Sequence, residues 1–193
     1  LTKLYLKDQL KRLDASLQGR IEGTIDNQLA RYVIALEDKR FWRHFGVDPI
    51  ALARALYRYL SGRPNGGAST IDMQYVRTIT GERDRTLHRK LSEIFLAIMI
   101  RRRFGSHRIL VHYLESAYTG TELCGMEQAS LALFKCRVSD LDPRRKAMLA
   151  ATLLSPVPKQ PSLDWWIRIV RRANRAEHAT GSPSQLSAKK SEL

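Results

Sequence analysis

Two adjacent carboxylates, Glu37 and Asp38, close an apolar run, and Phe41, His44 and Gly46 follow them in IALEDKRFWRHFGVD, residues 34–48. A carboxylate held near an imidazole and an aromatic ring is equipment for taking a proton from a hydroxyl. The spacing of Glu37, Phe41, His44 and Asp48 predicts one shared side of a helix over about residues 27–45. The same letters also fit the charged face of a surface helix, and this stretch does not choose between the two.

Two further segments carry chemistry. In GGASTIDMQYVRT, residues 66–78, glycines let the chain bend and Ser69 and Thr70 offer hydroxyls at a predicted helix start. Gln74 and Arg77 follow about one and two turns on. Free N–H groups at a helix start beside a cation form an anion site. In HRKLSEIFLAI, residues 88–98, Arg89 and Glu93 stand four apart, which fits a surface ion pair. That reading is weakened because Glu93 leads into the most apolar run of the chain.

The elements that must position these residues read as helices with short breaks. They are predicted over 4–14, about 27–45, 49–62, 70–79, 86–103, 106–118, 126–134, 143–154 and 165–178. Asp48 before Pro49 is a cap followed by proline at the first helical position. Arg101 to Arg103 suit the C-terminal dipole of their helix. Residues 62–69 read as a loop and 81–84 as a break. No strand pattern or repeat emerges. Residues 1–24 read as a helical lead-in, 25–178 as the domain and 179–193 as a disordered tail.

A chain of 193 residues with 44% hydrophobic content supports one folded domain. The excess of 33 basic over 19 acidic residues, a net charge of +14, suits a polyanion: nucleic acid, anionic lipid or a pyrophosphate-bearing substrate. No helix-turn-helix or aromatic-interleaved basic strand supports nucleic acid. Cys124 and Cys136 are too few for a zinc site and read as free thiols. His107 and His112, five apart, do not share a helical face. No apolar run approaches the ~18 residues of a membrane span. The charged N-terminal run lacks the apolar core of a signal peptide, and a start on Leu reads as a fragment or a processed product.

Taken together, EDKRFWRHFG, GASTIDMQYVR and RKLSE resemble, in order, the motifs of glycosyltransferase family 51, the peptidoglycan polymerase module of penicillin-binding proteins and monofunctional transglycosylases. The resemblance runs from about residue 25 to about residue 178. It implies a mostly α, lysozyme-like fold with a head lobe and a small membrane-facing jaw, which residues 49–65 fit best. Arg54 and Arg58 beside Leu52, Leu56, Tyr57 and Leu60 suit an interfacial helix, and equally a core helix with two solvated arginines.

The implied reaction polymerises lipid II into glycan strands at the outer, periplasmic face of the bacterial cytoplasmic membrane. An acceptor hydroxyl attacks the donor's anomeric carbon and undecaprenyl pyrophosphate leaves. By the motif match, Glu37 is the base and Glu93 the second catalytic carboxylate, assisting at the pyrophosphate or helping to hold a divalent cation, Mg or Mn. Asp38, Phe41 and His44 belong with substrate binding, Asp38 and His44 orienting the base or holding its loop. Ser69, Thr70 and Gln74 bind donor phosphate or sugar, and Arg77, Arg89 and Lys90 meet the pyrophosphate charge. The partners implied are lipid II, the growing strand and the membrane surface, not nucleic acid.

The chain departs from the family pattern at Arg77, where a lysine is usual, and in SHRILVHYLESAYTG. There Ser106, Val111 and Glu115 replace the family's Lys, Glu and Asn. Two rivals remain: a glycan-cleaving enzyme on the same fold, and a non-catalytic basic membrane- or peptidoglycan-binding protein derived from it.

Overall fold

The computed structural model describes residues 2–19, 25–63, 67–82, 84 and 86–181. The expected disordered tail, except residues 179–181, and the middle of the 62–69 loop lie outside the described residues. The chain is mostly helical, as the sequence predicts, and divides into two compact units.

One unit consists of α1 (Thr2–Gln18) with Arg40–Tyr113. It contains a 3-10 turn at Phe41–Arg43, α3 (Pro49–Leu60), α4 (Ile71–Thr80) and most of α5 (Leu87–Ser116). Its core is Leu13 and Leu17 of α1, Ile71, Met73, Tyr75 and Val76 of α4, and Leu96, Ala97, Ile100 and Ile109 of α5, all buried. Leu13 and Leu17 thus pack the N-terminal helix into this unit, and Ser16 Oγ meets the Tyr75 hydroxyl at 2.8 Å. α5 breaks at Gly105, whose φ of 74° and ψ of 168° are not helical. The sequence places a boundary there between Arg103 and Ser106.

The helix expected over residues 27–45 stops at Glu37. Phe41 lies in the 3-10 turn and His44 is extended, so Glu37, Phe41, His44 and Asp48 share no helical face. Gly46 shows why the chain must leave the helix. It sits at φ 108°, and a Cβ there would fall 2.5 Å from the Ala97 carbonyl oxygen. Only glycine lets this segment lie against the α5 backbone.

The other unit consists of α2 (Asn27–Glu37), Asp38 and Lys39, and the chain from Leu114 on. It contains β1 (Tyr118–Gly120), β2 (Leu123–Cys124), α6 (Met126–Phe134), α7 (Pro143–Ala151) and α8 (Leu163–Thr180). The short antiparallel pair, Tyr118 opposite Cys124 and Gly120 opposite Leu123 across an irregularity, corrects the expectation of no strands. Two and three residues are too short for alternation to show in sequence. α2, α7 and α8 pack on alanine-rich faces: Ala30, Ala147, Ala150, Ala151, Ala173 and Ala176 are buried with Leu29, Val33, Leu149 and Ile169. Small side chains let helix axes approach closely, which suits a core built from short helices. Asp26 caps α2 through Leu29 N–H at 2.8 Å and takes Lys146 Nζ at 2.6 Å, tying α2 to α7.

Candidate active site

In the first unit, Glu93 sits on α5 with 2% of its side chain exposed. Arg77 Nε donates to its Oε1 at 2.8 Å, Arg89 Nη1 donates to the same oxygen, and Lys90 Nζ reaches Oε2 at 3.3 Å. The helical spacing of Arg89, Lys90 and Glu93 puts two of these cations on the carboxylate from its own helix, and α4 brings Arg77. Lys90 also donates to Ser69 Oγ at 2.8 Å. The surface-pair reading of Arg89 and Glu93 is thus overturned. Three cations surround one buried carboxylate, which leaves an excess of two positive charges. Burial pushes the Lys90 ammonium below its ordinary value, Glu93 opposes this, and Arg77 and Arg89 add to the lowering.

Other residues expected to meet substrate also make contacts within the fold. The Thr70 hydroxyl caps α4 through Met73 N–H at 3.3 Å and donates to the Gly46 carbonyl at 2.6 Å, joining the first motif to the second. Thr70, not Ser69, is the cap. Thr70 is 2% exposed and Phe41 is fully buried. Gln74 Oε1 accepts from the Tyr113 hydroxyl at 2.7 Å. His44 Nδ1 accepts from Gly46 N–H at 3.2 Å, and its ring meets Phe41 edge-on.

Arg101, read from sequence as a dipole cation, is buried instead. Its guanidinium lies 4.3 Å from the Phe41 ring centroid, donates to the Phe41 carbonyl and pairs with Asp72 at 3.4 Å. Asp48 caps α3 through Ile50 and Ala51 N–H and takes Arg40 Nε at 2.8 Å. Burial alone would raise its carboxyl, but the Arg40 hydrogen bond and charge and the two backbone donors hold it below the ordinary carboxylate value.

In the second unit, Glu37 is the last residue of α2 and is half-buried, and Asp38 is its buried C-cap. Leu36, the residue before, packs against the Trp165 and Ile169 cluster of α8. Arg172 follows Ile169 by three residues, on the side of α8 that faces the end of α2. Burial, then Arg175 and Arg168, push its guanidinium below the ordinary value, and the Glu37 carboxylate opposes them. Arg172 is a partner of Glu37 that sequence reading misses, because 135 residues separate the two.

Cys124 and Cys136 are free, as expected. No described helix is long and apolar enough to cross a membrane.

The transglycosylase family model matches residues 10–178. Penicillin-binding protein 1A of Aquifex aeolicus is 37% identical over 158 residues, covering 75% of this chain and 22% of its own length. Penicillin-binding protein 1F of Bacillus subtilis is 37% identical over 139 residues, 72% of this chain and 19% of that protein. A Cupriavidus necator protein provisionally named a transglycosylase is 36% identical over 155 residues, 80% of this chain and 65% of that protein. The chain thus spans about a fifth of each penicillin-binding protein it resembles. It belongs to the transglycosylase family, glycosyltransferase family 51.

Proposed function

We propose that this chain is a peptidoglycan glycosyltransferase that joins lipid II to a growing glycan strand, with Glu37 as the general base. The observation that carries this reading is the convergence of Arg77, Arg89 and Lys90 on Glu93 beside Ser69. A pyrophosphate leaving group needs its charge met and no proton supplied, and a cation-rich site with one internal carboxylate answers that need. Glu93 acts by holding its three cations in register with the departing phosphates, and Arg77, the most exposed of them at 39%, is the first to meet the substrate. A glycan-cleaving enzyme must instead protonate an alkoxide-like leaving oxygen and has no use for this cluster.

At the other end of the reaction, Glu37 takes the proton of the acceptor hydroxyl as it attacks the anomeric carbon. Arg172 lies near enough to feel the Glu37 carboxylate, which places a cation on the base side of the reaction. The residues around Glu93 do not fit a divalent cation. Both carboxylate oxygens already face cation donors, and a metal there would meet three positive charges.

The substrate's lipid requires a membrane surface, and α3 fits that role. It buries no residue, and Ile50, Leu56, Tyr57, Tyr59 and Leu60 are 57–75% exposed beside Arg54 and Arg58. A core helix would bury an apolar stripe, so the interfacial reading is favoured. The site of action is the outer face of the cytoplasmic membrane.

The test is incubation with labelled lipid II in detergent, followed by separation of products by size. Wild type forms polymer. Glu37→Gln lowers the rate by about two to four orders of magnitude while keeping the helical circular-dichroism spectrum. Near wild-type polymerisation by Glu37→Gln removes the base assignment.

A further inference from the structure

The second unit carries a row of cations that the reaction above does not use. Arg168, Arg171, Arg175 and His178 on α8 are spaced by three, four and three, so they form one exposed stripe. At about 1.5 Å per residue the stripe is about 15 Å long. Lys39 joins its far end: Lys39, Asn174, Arg175, His178 and Ala179 line an open depression of about 470 Å³, with no acid lining it among the described residues. Lys39, Arg168, Arg171 and Arg175 form no ion pair with an acid among the described residues. Of the acids of α8, Asp164 stands four residues before Arg168 at the head of the stripe, and Glu177 is buried against Arg144. Like charges three and four apart on a helix repel each other. Beyond Arg168 the stripe carries no acid of α8, and an exposed row of this kind is a site for an anion from outside.

Its position says which anion. Lys39 follows Glu37 by two residues, and Arg172, the partner of Glu37, lies between Arg171 and Arg175 on the same helix. A sugar whose hydroxyl reaches Glu37 would carry its substituents past Lys39 and α8. Lys39, Arg175 and His178 gather at one end, and Arg171 and Arg168 continue the row away from it. A single compact pyrophosphate would leave the rest of the row unmet, whereas separate carboxylates along an extended chain match its length.

We propose that the Lys39 depression and the α8 stripe form a binding subsite for the carboxylates of the peptide stem on the acceptor sugar. The substrate class rests on the polymerase reading above, but the binding test needs no turnover.

Three soluble probes are titrated into the chain by calorimetry: the disaccharide bearing its peptide stem and no phosphate, the same disaccharide without the peptide, and inorganic pyrophosphate. Each is measured with wild type, with Lys39→Ala/Arg175→Ala, and with Lys159→Ala/Arg137→Ala, which removes the same charge at exposed positions of the same unit. The expected result is that the peptide-bearing probe binds the Lys39/Arg175 variant on the order of tenfold more weakly than wild type. The charge-matched control stays within about twofold of wild type, and the peptide-free probe does not distinguish the three proteins.

Equal weakening in the control would reduce the effect to bulk charge and overturn the subsite. So would peptide-independent binding, a Lys39/Arg175 loss seen only with pyrophosphate, or no binding of the peptide-bearing probe by wild type. Failure of the polymerase reading shows separately, as absence of polymer from lipid II in a protein that still discriminates these probes.

Discussion

Replacing Glu93 by Gln tests whether the cation cluster is a single electrostatic object. The substitution keeps shape and removes one charge from the centre of three cations. Removing one partner of a buried ion pair costs about 3–5 kcal/mol, because the charges left behind stay desolvated. Arg77 is 39% exposed and recovers solvation, whereas Arg89 at 15% and Lys90 at 28% recover less, which favours the low end, about 3 kcal/mol. At about 2–4 °C per kcal/mol for a domain of this size, the midpoint of thermal unfolding falls by about 6–12 °C. Lys90 also loses the one neighbour that opposes its lowering, so its ammonium titrates lower still in the variant. Urea unfolding of wild type, Glu93→Gln, Arg89→Gln and the double variant gives the stability loss and the coupling. A loss below about 1 kcal/mol for Glu93→Gln, with no coupling to Arg89, would mean that the cluster is a set of hydrated surface pairs and refute the reasoning.

Asp48→Asn keeps a capping oxygen for Ile50 and Ala51 N–H but removes the charge that Arg40 meets, and should cost about 1–2 kcal/mol at neutral pH. Because the folded carboxyl titrates below its ordinary 3.8, its contribution is full above that value and is lost as pH falls through the folded value. The gap between wild type and Asp48→Asn in urea midpoint should therefore narrow as pH falls below the ordinary carboxylate range, and a gap independent of pH would contradict this. Gly46→Ala should destabilise by at least about 2 kcal/mol, since a Cβ would strike the Ala97 carbonyl at a positive φ; an unchanged unfolding midpoint would show that α5 yields. Binding to anionic vesicles should weaken as salt rises, while a remainder carried by Ile50, Leu56 and Leu60 persists; sedimentation with a Leu56→Ser/Leu60→Ser variant checks this, and salt-insensitive binding would rule out the basic contribution.

The Arg89–Lys90–Glu93 group and the Asp48–Pro49 start are legible in sequence, because contacts within one or two helical turns depend on spacing alone. Three motifs in order are likewise enough to name the family. The end of α2 is not legible. Residues 38–45 keep a helix-like pattern, and the helix stops because Gly46 must lie against α5, a contact made 51 residues away at Ala97. Thr70 is read as a ligand hydroxyl because it stands beside Ser69, yet only packing decides that one hydroxyl turns inward to Gly46 and the other meets Lys90. Arg101 looks like its neighbours Arg102 and Arg103 until the fold buries it on Phe41 and Asp72. Arg172 acquires a role only because α8 packs along α2 and brings it to Glu37. Residue type and short spacing thus specify the local helices and the chemistry available to them. The partner of each charge, and whether a hydroxyl faces core or ligand, is a long-range property that exists only once the chain has packed.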